Sequence, residues 1–98
     1  MTDAERAKKI LSATEDANTL KCLLNKGNFL KADSKIEKIA TNMDYAENIF
    51  ASRVKHKIPY GNKSFGSLSF TQQRNVIIML LEAVEATIIK LSLPNDKD

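Results

Sequence analysis

QQRNVIIMLLEAVEATIIKL, residues 72–91, is the longest and most apolar periodic run in the chain, and the other elements have to be built around it. It is too long for a strand, and no Gly or Pro interrupts residues 67–93, so length decides for helix. Ser69 and Gln72 stand at capping-box spacing, with Thr71 as a competing N-cap. Pro94 sets the end, because a proline pushes the residue before it out of helical geometry. A helix over 69–93 is expected.

At ~100° per residue, Val76, Ile77, Leu80, Ala83, Val84, Thr87, Ile88 and Leu91 fall on one arc, with Leu81 at its edge. The arc is roughly 160° wide, broader than a two-helix seam needs. The opposite face carries Arg74, Glu82, Glu85 and Ser92, but Ile78 and Ile89 sit among them, roughly 16 Å apart along one line. Single exposed apolar residues are ordinary. A line of two beside a broad apolar arc also suits a second contact, and a homodimer through Ile78, Glu82, Glu85 and Ile89 is expected. A membrane span is not: Glu82, Glu85 and Lys90 interrupt the run, and a span wants ~20 predominantly apolar residues.

Working outward, two more long helices are expected. The first covers 3–26, with Thr2 as N-cap, Asp3 and Glu5 in the first turn, and Gly27 with Asn28 as the stop. Ile10, Ala13, Ala17, Leu20 and Leu24 form its stripe. That stripe changes phase near Ser12, where Ser12 and Glu15 again have capping-box spacing; this marks either a kink or a helix junction, and one helix with a weak first third is favoured. The second covers 33–56, capped by Ser34 with Glu37 or by Asp33. Its seam is Ile36, Ile39, Ala40, Met43, Ala46, Phe50 and Val54. Phe29 and Leu30 should staple the entry to it. Pro59, Gly61 and Gly66 make 57–68 the main loop, which the aromatics Tyr60, Phe65 and Phe70 would pin to one end. The expected fold is therefore all-α, one domain over 1–98 with a disordered tail at 95–98. Its architecture would be an antiparallel bundle of three long helices with a core of Leu20, Leu24, Ile36, Ile39, Met43, Phe50, Val54, Val76, Leu80, Val84 and Leu91.

The chain has 98 residues, enough for one modest core without disulfides. Cys22 is the single cysteine, and the first residues, MTDAERAKK, lack the apolar stretch of a secretion signal, so a cytoplasmic location is expected. Lone His56 has no cysteine or second histidine with which to bind zinc; it suits the negative end of a helix dipole instead. Gly61 and Gly66 bracket Lys63 and Ser64, but the spacing is not that of a phosphate loop. No enzymatic activity, metal or cofactor is expected.

Charge placement is the strongest functional signal. Residues 48–81 contain no Asp or Glu but hold Arg53, Lys55, Lys57, Lys63 and Arg74, and His56 lies among them. All twelve acids lie outside, with ten of the fifteen basic residues, so the segment is +5 and the remainder −2. The helix dipole accounts for Arg53, Lys55 and Lys57 near a C-terminus, but not for Lys63, for Arg74 or for the missing acids. On the back of the second helix, Lys38, Asn42, Tyr45, Ile49, Ser52 and His56 form a mixed line whose Tyr45 and Ile49 would serve as anchors. The expected function is a non-enzymatic protein-interaction module (an accessory, adaptor or inhibitor) meeting an acidic protein surface through Arg53, Lys55, His56, Lys57, Tyr60, Lys63, Arg74, Tyr45 and Ile49. The alternative is a small nucleic-acid binder using the basic segment from Arg53 to Arg74, with Tyr60 or Phe65 near backbone or bases. Against it stands the small positive excess, where nucleic-acid binders usually show a basic stripe.

Overall fold

A computed structural model describes residues 1–29, 31–51 and 65–93, with residues 49–51 described by their backbone alone. The described residues form α1 (Asp3–Lys26), α2 (Asp33–Ala40), α3 (Ala46–Ala51) and α4 (Phe70–Ser92), with 3₁₀ turns at Met43–Tyr45 and Phe65–Ser67 and no strand. The all-α class is as expected. Arg53, Val54, Lys55, His56, Lys57, Tyr60, Lys63, Leu30 and the tail at 95–98 lie outside the described residues.

The two long helices begin and end where their capping residues place them. The Thr2 hydroxyl accepts the Glu5 amide at 3.1 Å, and Gly27 closes α1 in the left-handed region at φ 64°, its N–H on the Leu23 carbonyl. The helix runs through Ser12 without a break. At α4, Ser69 outcompetes Thr71 and the capping box closes: Gln72 N–H donates to Ser69 Oγ at 3.2 Å, and Ser69 N–H donates to Gln72 Oε1 at 3.1 Å.

α1 and α4 are the most extensively packed pair. From α1 the seam takes Ala13, Ala17 and Leu20; from α4 it takes Val76, Ile77, Leu80, Ala83, Val84 and Thr87. The alanines at i, i+4 keep α1 thin at the contact, so the bulk of the core comes from α4. Leu20, Ile36, Val76, Ile77, Leu80 and Val84 are each fully buried, a gain of ~1.5–3 kcal/mol for each such side chain. The apolar arc of α4 read from periodicity is thus the buried one, with Leu81, Ile88 and Leu91 half-buried at its margins.

The second helix departs from expectation. The continuous element over 33–56 is replaced by α2, a break at Thr41 and Asn42, a 3₁₀ turn and α3. Polar side chains cause the break by competing for backbone groups. The Thr41 hydroxyl donates to the Glu37 carbonyl at 2.8 Å, and Asn42, in extended geometry at ψ 121°, accepts the Asp44 amide at 2.9 Å and so caps the next turn. The restart changes the helical phase. Met43, expected in the core, is 82% exposed, and Tyr45, expected on the exposed back, is 1% exposed. The α2 start also differs: Ala32 is the N-cap without a side-chain bond, so neither Ser34 with Glu37 nor Asp33 acts as the expected cap.

Directions follow from contacts at each end. Phe29, just beyond α1, stacks on Phe70 at the start of α4 with ring centroids 5.1 Å apart. Asp33 at the start of α2 lies against Gly66, close to that same end. Toward the other end, Lys9 pairs with Asp44 at 3.1 Å and Lys90 with Glu47 at 2.5 Å. α2 and α4 therefore run the same way and α1 runs against them, so the expected alternation of three antiparallel helices does not hold. Only short connections impose antiparallel neighbours, and residues 52–64 separate α3 from the turn before α4.

Candidate interaction surface

Tyr45 locks the restarted turn to α1. Its ring is buried and its hydroxyl donates to the Asp16 carboxylate. Burial, that hydrogen bond and the nearby charges of Asp16 and Asp44 push the phenol well above its ordinary range, so it stays neutral and acts as a donor. One turn on, Asn48 Nδ2 donates to Thr87 Oγ1 at 2.8 Å, and Thr87 donates to the Ala83 carbonyl at 2.9 Å. The buried hydroxyl of Thr87 is thus satisfied, and α3 is tied to α4.

Turning Tyr45 inward turns Met43 outward. Met43 stands on the rim of a cleft of about 580 Å³ between the N-terminal turns of α1, the 3₁₀ turn and the end of α4. Leu93 and Met1 line the same cleft and are 58% and 61% exposed. Leu91 is half-buried at its wall. Two exposed ion pairs, Lys9 with Asp44 and Lys90 with Glu47, flank these apolar groups. A second cleft of about 570 Å³ at the opposite end is walled by Phe29, Phe70, Lys31 and Asp33. There Phe29 is buried beneath the half-open Phe70 ring, and Gly66 lets the backbone approach the Asp33 carboxylate.

The residues singled out from the sequence do not assemble into one described site. Arg53, Lys55, His56, Lys57, Tyr60 and Lys63 lie outside the described residues, and Ile49 is described by its backbone only. Arg74 is exposed in the first part of α4. Tyr45 is not a surface anchor, for the reason just given. On the expected dimer line, Ile78 is half-buried, Glu82 is exposed, Glu85 pairs with Lys21 of the same chain at 3.6 Å, and Ile89 is 62% exposed. Sequence reasoning missed Met43 and Leu93. The signal for Met43 was Asn42 two residues before Asp44, an N-cap in the middle of an apolar seam. Among the described residues, no group of three or more His, Cys, Asp or Glu is placed to hold a metal ion, and no helix is long and apolar enough to cross a membrane. No protein-family model, curated protein or solved structure matches the chain.

Proposed function

We propose that the chain is a non-enzymatic protein–protein interaction module, of the accessory, adaptor or inhibitor kind. The observation that supports this is the grouping of exposed Met43, Leu93 and Met1 around one cleft, ringed by charged side chains. An apolar centre with a polar rim is the anatomy of a protein contact, and methionine adapts its shape to a partner. The surface differs from the one expected from the sequence, because Tyr45 is buried.

The test is recovery of the chain with its bound proteins from its native cells, comparing the wild type with Met43→Asp. A stoichiometric protein companion lost in the variant is the expected result. Companions that are unchanged in Met43→Asp would remove this surface from the reading.

Nucleic-acid binding is the second reading, supported by the absence of acids over residues 48–81. Retention on heparin that weakens steeply with salt, and is lost in Lys55→Glu with Lys63→Glu, would favour it over the first.

A further inference from the structure

We propose that the cleft between the end of α1 and the start of α2 binds a small polyphosphate, an anion with two or more linked phosphate groups. This site shares no residue with the Met43–Leu93 surface and does not depend on the protein-contact reading.

Three observations carry it. First, cations converge there from three places in the chain. Lys26 in the last turn of α1, Lys31 in the connection and Lys35 in the first turn of α2 all line one cleft of about 310 Å³. An adjoining cleft of about 420 Å³ shares Lys26 and Lys35 and reaches Cys22. Second, no counter-charge accompanies them. No carboxylate lines either cleft, and among the described residues none of the three ammonium groups has an ion-pair partner, whereas Lys9, Lys21 and Lys90 each pair with a carboxylate. α2 is sorted by sign: at ~100° per residue, Lys35 and Lys38 share one flank and Asp33 and Glu37 the other, where Asp33 lies against Gly66. Third, helix stability does not account for all of these lysines. Lys26 suits the negative end of α1, but Lys35 stands at the positive end of α2, where a cation is unfavourable. Lys31 holds the left-handed region at φ 64°, a position that glycine fills without strain. Three like charges in one cleft repel one another, and a multiply charged anion removes that repulsion.

The lining selects the ligand. Lysine is a compact point charge that holds phosphate without a fixed plane of contact. The cations surround a concavity rather than follow a stripe, and no aromatic ring lines either cleft for a base to stack on. A compact group of phosphates fits this better than a nucleic-acid strand does.

The test is equilibrium dialysis of the full chain against inorganic triphosphate at low salt, with Cys22, the single cysteine of the chain, as a reporter of place. Saturable binding is expected. Cys22 is exposed and lines the adjoining cleft, so bound triphosphate should slow its reaction with iodoacetamide. Lys26→Gln, Lys31→Gln and Lys35→Gln should each raise the dissociation constant ~3-fold, and the triple variant ~30-fold. Lys8→Gln is the control: Lys8 is exposed on α1 and lines neither cleft, so its loss should leave binding unchanged. In Lys31→Gly binding should weaken while the melting midpoint rises, a pair of changes that loss of folding does not give. Absence of binding overturns the proposal. Binding that persists in the triple variant overturns the site, as does binding that leaves Cys22 unprotected. Protection of Cys22 by a single-stranded oligonucleotide but not by triphosphate overturns the ligand class.

Discussion

Replacing Tyr45 and Met43 separately tests the phase change at Asn42, on which the surface depends. In a continuous helix over 33–56, Met43 is core and Tyr45 is solvated; in the structure the two are exchanged. Tyr45 is 1% exposed and its hydroxyl donates to a carboxylate. A hydrogen bond to a charged group contributes ~1.5–3 kcal/mol. Asp16 is half-exposed and can rehydrate, so Tyr45→Phe should cost about 1.5 kcal/mol, at the low end. Tyr45→Ala also removes the buried ring and should cost ~3–5 kcal/mol. Met43→Ala, at a site 82% exposed, should change stability by less than ~0.5 kcal/mol. Urea melts followed by circular dichroism resolve these values: with m of ~1–3 kcal/mol/M, the Tyr45→Phe midpoint falls by roughly 0.5–1.5 M. The alkaline limb gives an independent check. The phenol's folded pKa lies above its ordinary value of 10.0, so the folded state holds this proton more tightly than the unfolded chain. The resulting stability is complete below about pH 10 and is lost as pH rises beyond it. Tyr45→Phe should remove that part of the alkaline loss. If Met43→Ala cost more than ~2 kcal/mol while both Tyr45 variants melted like the wild type, the restart at Asn42 would be refuted.

Three further outcomes are expected from the same assay. Leu80→Ala, at a fully buried site on the α1–α4 seam, should cost ~2–5 kcal/mol, and a loss under about 1 kcal/mol would mean that α4 is rotated. Gly66→Ala places a Cβ against the Asp33 carboxylate, the end of a side chain that can turn away, and should destabilise by no more than ~1 kcal/mol; the cost should vanish in an Asp33→Ala background, and equal costs in both would deny the contact. Lys31 holds a left-handed backbone at φ 64°, which glycine adopts without strain, so Lys31→Gly should stabilise by ~0.5–1 kcal/mol, whereas a loss of stability would contradict that geometry.

The two long helices were legible because their signals are local. Thr2 and Gly27 bound α1, Ser69 with Gln72 starts α4, and the 3.6-residue period of Val76, Leu80, Val84 and Thr87 sets which side of α4 is buried. Each depends on residues within a turn or two of one another, so the linear sequence suffices. The middle segment was not legible in the same way. Ile36, Ile39, Met43 and Phe50 fit one apolar seam as a continuous helix, and periodicity does not register that Asn42 can leave the helix to cap a new turn. Choosing between the two arrangements takes the tertiary partners, Asp16 for the Tyr45 hydroxyl and Thr87 for Asn48, which come from α1 and α4. Those long-range bonds satisfy a buried phenol and a buried hydroxyl that a continuous helix would place otherwise. The relative directions of the helices, and the convergence of Met43 with Leu93, follow from the same packing. Residues 43 and 93 are fifty positions apart in the chain. Only the folding of α4 back along α1, with the restarted turn between them, brings the two side chains to one surface.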